Sequence, residues 1–398
     1  MRILIIGHFG GRNIGDEIIL LSQMQMLTKK FRTCEFIIYT YDKKFTIETY
    51  KDYNFKIETI KAFGLKNSFS SSVEQLKKIK NIDFTILGGG GIMQDTYFSY
   101  GIFRYLLPVY ISLLRGIPFY TYAIGVNKFN YLLNNSIFNF ALNYSNGISV
   151  RDKISYQNIK SLNSNINLTE ILDSALLFNT VSLEGNVEND NLTLIFRDFF
   201  EPYLEKITIL ITRLKNIYNF NKINLIVFEN NEIEIKLANK MKYILDNDYI
   251  VKIYNDINPI NYLSILNKSS IVLTGRLHGL IPSILLKKHI VCMSYAPKIE
   301  SFCDKNHIAY LKFNDLNNIN NIEISDYIFD SSKINILDSK SLKNTHSFLE
   351  KIKKTFKLKP KISIFKKYYI SLKLISYGFC LIIVHIFNKL LNKKANQE

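Results

Sequence analysis

The sequence predicts an α/β protein with two parallel-sheet halves facing a cleft, followed by a basic, partly apolar helical tail. Three observations predict it. Short apolar runs alternate with helix-like stretches, the alternation restarts after a polar stretch near residue 180, and the charge balance changes sharply near the C-terminus. In the first half, strands are expected at residues 3–6, 36–40, 84–87, 119–124 and 147–150, with helices at 16–30, 72–80, 101–114 and 132–144 between them. Strand, helix, strand in this rhythm calls for a parallel sheet covered on both faces. Residues 180–191 are polar, hold Gly185 and read as a linker. In the second half, strands are expected at 192–196, 223–228, 250–254, 271–274 and 290–293, and helices at 203–218, 232–245, 259–267 and 277–286. Pro259 behind Asn258 suits a helix start. Residues 314–321 are rich in Asn and read as loop. The expected division is therefore 1–178, a linker at 179–191, 192–345, and a tail at 346–398. Ligands of such sheets sit beyond the carboxyl ends of the strands.

Composition narrows the class. The 398 residues leave room for two domains of about 150 residues each. With 47% hydrophobic and 21% charged residues, chain-wide disorder is excluded. Fifty-one Lys and Arg against 34 Asp and Glu give +17, but residues 351–398 hold twelve Lys and one acid, Glu398, and so carry +11 of it. The excess belongs to a tail outside the domains, which argues against nucleic acid as the partner. Cys34, Cys292, Cys303 and Cys380 form no CxxC pair, so neither a zinc site nor a disulfide framework is expected, and a reducing, cytoplasmic compartment fits. The apolar run 3–6 is too short for a signal-peptide core.

In the tail, Lys359, Lys361, Lys366 and Lys367 precede an apolar stretch, 374–387, and Lys389, Lys393 and Lys394 follow it. As a helix this stretch would reach about 21 Å, short of the hydrocarbon thickness of about 30 Å. The expectation is a peripheral segment on the anionic inner leaflet of the cytoplasmic membrane, against the alternatives of a spanning helix or a terminal helix packed on the enzyme.

Four segments can carry chemistry. The first, Gly7-His8-Phe9-Gly10-Gly11-Arg12-Asn13-Ile14-Gly15-Asp16-Glu17, leaves a strand and enters a helix but matches neither a dinucleotide fingerprint nor a phosphate loop. Asn13 and Asp16 are candidate acceptor-side contacts, although Asp16 and Glu17 equally suit the helix dipole. The second is Gly88-Gly89-Gly90-Gly91 with Asp95 downstream; Gly89, Gly90 and Gly91 suggest close backbone approach to a ligand. The third, Val150-Arg151-Asp152, reads as a local ion pair at a helix start, the alternative being that Arg151, leaving a strand end, contacts an anion. The fourth, Thr274-Gly275-Arg276-Leu277-His278-Gly279, puts a guanidinium fork and an imidazole at a strand's carboxyl end beside a helix N-terminus. Arg197, Tyr295 and Lys298 end or follow neighbouring strands, so the expected pocket is cationic and takes a small, multiply charged anion.

This ordered set resembles the polysaccharide pyruvyl transferase family, through GHFGGRNIGDE, DFTILGGGGIMQD, SVRDKIS, TGRLHGLIPSILL and SYAPKIESF over about residues 1–310. The segment around Leu172-Asp173-Ser174-Ala175 is looser than the family's Asp-Pro-Ala, and the tail lies outside the resemblance. The resemblance implies two Rossmann-like domains in a GT-B-like arrangement, with phosphoenolpyruvate as donor, no cofactor and no metal. The product is a pyruvate ketal on a cell-surface polysaccharide or its lipid-linked precursor. On that basis Arg276 and Arg197 bind the donor, His278 protonates its methylene carbon or assists phosphate departure, and Asp95 takes the proton of a sugar hydroxyl. The rivals are a sugar-nucleotide glycosyltransferase on the same fold and a non-catalytic membrane-associated partner in glycan assembly.

Overall fold

The computed structural model describes residues 1–64, 68–95, 101–178, 190–195, 197–255, 258–333, 339–358, 363 and 368–372. The chain forms two compact units. One holds Met1–Gly11, Leu27–Asp173 and the segment from Ser339; the other holds Arg12–Met26 and Ser174–Asp338.

The first unit begins with β1 (Arg2–Phe9), and α1 (Ile14–Phe31) contributes only its last turns to it. There follow β2 (Glu35–Thr40), α2 (Lys43–Tyr50), β3 (Lys56–Lys61), α3 (Ser68–Lys78), β4 (Phe84–Gly88), α4 (Phe103–Leu114), β5 (Phe119–Tyr122), α5 (Leu132–Asn143), β6 (Ser149–Val150), α6 (Lys153–Leu162) and β7 (Thr169–Glu170). The strands pair in parallel in the order β3-β2-β1-β4-β5. Ile3, Leu4, Ile5 and Ile6 are all fully buried, which is why the central strand is an unbroken apolar run. The edge strand β3 reads KIETIK, with charges on the solvent side, and α2 is short and anchored by Asp42, whose side chain accepts from the Phe45 amide. Neither carries an apolar signal, and neither was expected from the sequence.

The second unit contains β8 (Asn191–Ile195), α7 (Leu204–Tyr218), β9 (Lys222–Ile226), α8 (Glu232–Leu245), β10 (Ile250–Tyr254), α9 (Pro259–Lys268), β11 (Ile271–Thr274), α10 (Leu277–Leu285), β12 (His289–Ser294), α11 (Pro297–Lys305), β13 (Tyr310–Lys312) and β14 (Phe329–Asp330). The order is β10-β9-β8-β11-β12-β13, all parallel, with β14 antiparallel to β12. Asn258 caps α9 by accepting from the Ile260 amide, as its position before Pro259 implies. The Asn-rich stretch expected as loop, 314–321, overlaps a 3-10 helix, Phe313–Asn318, whose start is held by Asp315 accepting from the Lys312 amide.

A last helix, α12 (Ser339–Thr355), belongs to the first unit, so the units part company with a simple cut in the sequence. Its Thr345, Phe348, Leu349 and Ile352 recur at helical spacing and are buried. The Leu172 amide donates to Thr345 Oγ1 at 3.1 Å, and the Tyr120 and Thr355 hydroxyls lie 2.6 Å apart. Residues 346–358, assigned from the sequence to a separate tail, are thus part of a core, because their apolar face needs one. Ile370 is buried too, in the cluster that holds Val109, Phe138 and Ala141. The run 374–387 and most of the linker, 179–189, lie outside the described residues. Among the described residues, no helix is long and apolar enough to cross a membrane.

Candidate active site

In the second unit the strand order reverses between β8 and β11, and four strand ends bring three charged residues and a tyrosine there. Arg197 follows β8, Glu229 follows β9, Arg276 follows β11 and Tyr295 follows β12. The carboxyl ends of strands at such a reversal are the usual place for a ligand.

Glu229 is the meeting point. Its Oε1 accepts from Arg276 Nη1 at 2.9 Å and from Asn13 Nδ2 at 3.1 Å, and lies 3.9 Å from Arg197 Nη2. Arg276 is only 6% exposed, and its other nitrogen, Nη2, pairs with Glu234, which is 3% exposed. Glu234 is fixed in turn, because its Oε2 accepts from the amides of Phe228 at 3.0 Å and Glu229 at 2.8 Å. The Phe228 ring lies 4.7 Å from the Arg276 guanidinium. Burial pushes the Glu234 carboxyl up, and the Arg276 charge offsets only part of that. Arg276 is therefore oriented by a buried partner and shares its charge with a second, Glu229, which is 31% exposed. The sequence reading missed both acids. Their signal lay in Phe228-Glu229-Asn230-Asn231-Glu232-Ile233-Glu234, where the acids look like helix-start residues; Asn231 does cap α8, but Glu234 turns back to the loop.

His278 is the second residue of α10. A Cβ built on Gly15 would lie 2.6 Å from His278 Nδ1, so only glycine lets the α1 start lie against the imidazole. Asn13 sets that approach: its Oδ1 accepts from the Gly15 amide at 2.9 Å, while the Ile14 amide donates to the Phe228 carbonyl at 3.1 Å. The first glycine motif is thus divided. Gly7 to Gly11 stay in the first unit, whereas Asn13 and the part-exposed Asp16, expected on the acceptor side, lie in the second unit with Arg276 and His278. Arg197, 23% exposed, donates from Nη1 to Tyr295 Oη at 3.3 Å and pairs with Asp198 at 3.5 Å. Lys298 is exposed on the first turn of α11.

In the first unit the glycine run forms the turn after β4. Gly89 and Gly90 have φ of +81° and +74°, which explains two of the glycines by backbone conformation alone. Gly91 is exposed. Asp95 does not face outward as a general base would. It is 2% exposed, and its carboxylate accepts from the amides of Asn130 (2.9 and 3.0 Å) and Tyr131 (3.1 Å) and from Asn134 Nδ2 (3.0 Å). Those donors surround the start of α5, so Asp95 anchors that helix, and the base role expected of it is not carried forward. Arg151 pairs with its neighbour Asp152 at 3.3 Å, as expected, and also with buried Asp173 at 3.1 Å.

The polysaccharide pyruvyl transferase family profile matches residues 13–297. The chain belongs to the polysaccharide pyruvyl transferase family. The match begins at Asn13, includes Glu229, Glu234, Arg276 and His278, and ends one residue before Lys298. No curated protein matches the chain in sequence. Among solved structures it is similar to the UDP-GlcNAc 2-epimerase of Methanocaldococcus jannaschii in complex with UDP-GlcNAc and UDP, at 14% identity and a TM-score of 0.54, covering 88% of this chain and 99% of the epimerase. It is also similar to the UDP-GlcNAc 2-epimerase of Neisseria meningitidis bound to UDP-GlcNAc, at 13% identity and a TM-score of 0.50, covering 98% and 100%. At these identities the likeness establishes the fold, α/β with parallel sheets and GT-B-like. The chain is a transferase whose family transfers pyruvyl groups to polysaccharide.

Proposed function

We propose that the enzyme transfers the pyruvyl group of phosphoenolpyruvate to two hydroxyls of one sugar, forming a ketal and releasing phosphate. The observation that carries this reading is the Glu229 carboxylate held among Arg276, Arg197 and Asn13. A place that holds a carboxylate between two guanidiniums suits a donor bearing a carboxylate and a phosphate. Buried Glu234 keeps Arg276 oriented, and part-exposed Glu229 gives way to the donor. Arg197, Tyr295 and Lys298 complete the anionic contacts. His278 gives a proton to the methylene carbon, and the first sugar oxygen adds to the neighbouring carbon. The second sugar oxygen then displaces phosphate. Two hydroxyl protons leave the sugar; one replaces that given to the methyl group and the other leaves with phosphate. The scheme draws on no metal and no cofactor.

The test is phosphate release from phosphoenolpyruvate in the presence of aryl glycosides. Release should require the sugar, and His278→Asn should lower turnover about a hundredfold or more while the fold is kept. Sugar-independent release, or turnover of a sugar nucleotide instead, would overturn the reading. For the acceptor we favour a lipid-linked saccharide at the inner leaflet, with the enzyme held peripherally on the cytoplasmic face by the lysines around 374–387. Full-length protein should cosediment with vesicles containing phosphatidylglycerol and lose that binding on removal of 374–398; equal binding to neutral vesicles would refute the electrostatic part.

A further inference from the structure

The helix that carries His278, α10, has a proline inside it, Pro282. Proline has no backbone N–H, so it cannot donate to the carbonyl four residues earlier, and its ring crowds that carbonyl. The carbonyl in question belongs to His278. A donor reaches it from another helix. The Tyr262 hydroxyl, on α9, donates to the His278 carbonyl at 3.1 Å. Tyr262 is 1% exposed. Burial pushes its hydroxyl well above the usual phenol range, against the pull of the Arg276 charge, so it keeps its hydrogen. Neither Tyr262 nor Pro282 has a part in the chemistry proposed above.

The main chain on either side of His278 is pinned as well. The Arg276 amide donates to Thr274 Oγ1 at 3.1 Å, and a Cβ on Gly279 would lie 2.2 Å from that oxygen. The amides of Gly279 and Leu280 both donate to the Arg276 carbonyl at 2.9 Å. Tyr262 adds the contact to the carbonyl of His278 itself. Its ring makes a separate contact, meeting the Phe228 ring edge to face at 5.7 Å. Phe228 in turn lies 4.7 Å from the Arg276 guanidinium. The hydroxyl of Tyr262 therefore bears on His278 and its ring bears on Arg276. Phenylalanine at 262 would remove the first and keep the second.

We propose that Tyr262 is a positioning residue for His278, its hydroxyl standing in for the N–H that Pro282 lacks. Without that donor the carbonyl turns to another partner, and the imidazole moves with its main chain. Misplacing a reacting group by about 1 Å can cost up to about a hundredfold in rate. Arg276 keeps its aromatic support, so binding of the anionic donor is spared. The consequence for turnover rests on the pyruvyl-transfer reading; the exchange of an amide for a phenol hydroxyl does not.

The test is a rescue in the full chain. Tyr262→Phe should lower kcat for phosphate release about tenfold, with the KM for phosphoenolpyruvate and for the glycoside within about twofold of wild type. Pro282→Ala restores an N–H opposite the His278 carbonyl. Added to Tyr262→Phe, it should bring kcat back to within about threefold of wild type. A role in stability alone would move thermal midpoints and leave kcat in place. The second readout needs no substrate. The imidazole 15N signals of His278, assigned with His278→Asn, should shift in Tyr262→Phe and return in the double variant. Unshifted signals or an undiminished kcat in Tyr262→Phe would overturn the proposal. So would signals that stay shifted in a double variant with unchanged circular dichroism. A shift that returns, without any phosphoenolpyruvate-dependent release in the wild type, would support the positioning and sink the donor assignment alone.

Discussion

The first unit ends its central strands in His8, Tyr41 and the glycine turn, with Tyr105 and Arg104 packed over them. The second unit ends the equivalent strands in Arg197, Glu229 and Arg276, with Glu234 beneath. Both sheets reverse their order at the same point, one between β1 and β4 and the other between β8 and β11. Among the described residues, one end gathers phenols, an imidazole and the Arg104 guanidinium, the other two guanidiniums and two carboxylates. The topology supplies a location, and the side chains decide what it can hold. Paired guanidiniums suit an anion.

The comparison can be broken most severely in the second unit. Replacing Arg276 by Met leaves Glu234 buried without its counter-charge, which should cost about 3–5 kcal/mol in denaturant unfolding. Adding Glu234→Gln should recover part of the stability but not the turnover. If the single variant proved as stable as wild type, the buried pair would not be the anchor described here. In the first unit the corresponding anchor is Asp95. Asp95→Asn should lose about 1–3 kcal/mol because four donor contacts share its carboxylate. Its kcat should stay near wild type in the phosphate-release assay, while a loss of about a hundredfold or more would restore Asp95 as a general base.

The smallest effect is expected away from both strand ends. Lys288 lies between α10 and β12, and burial pulls its ammonium down to about 8. As pH rises from about 8 toward 10.5, the unfolded chain still binds a proton that the folded chain has released, so wild type gains stability over that window. The contribution is absent below about pH 8. Lys288→Met should remove this rise in a series of thermal midpoints, and an unchanged slope would show that the ammonium is not what titrates.

Much of the fold was legible because buried parallel strands must be continuous apolar runs. Residues 3–6 and 271–274 could hardly be anything else. Edge strand β3 and capped α2 escaped because an edge needs charges and a short helix needs only a cap. The Arg276 and His278 motif stood out because a guanidinium and an imidazole between glycines at a strand end have few structural uses. Glu229 and Glu234 did not stand out, since acids before a helix are ordinary. Asp95 misled for the complementary reason: a carboxylate behind a glycine turn looks available until its donors are seen.

By itself the sequence determined the alternation of strands and helices, the family, and the residues that end the strands, because periodicity and local spacing are written along the chain. Tertiary structure alone decided which carboxylates meet which guanidiniums. It joined Asn13 to Glu229 across 216 positions and placed Gly15 against His278. It also drew residues 339–358 into the core of the first unit. Those choices depend on burial and on pairing charges that are distant in sequence, and no local pattern encodes either.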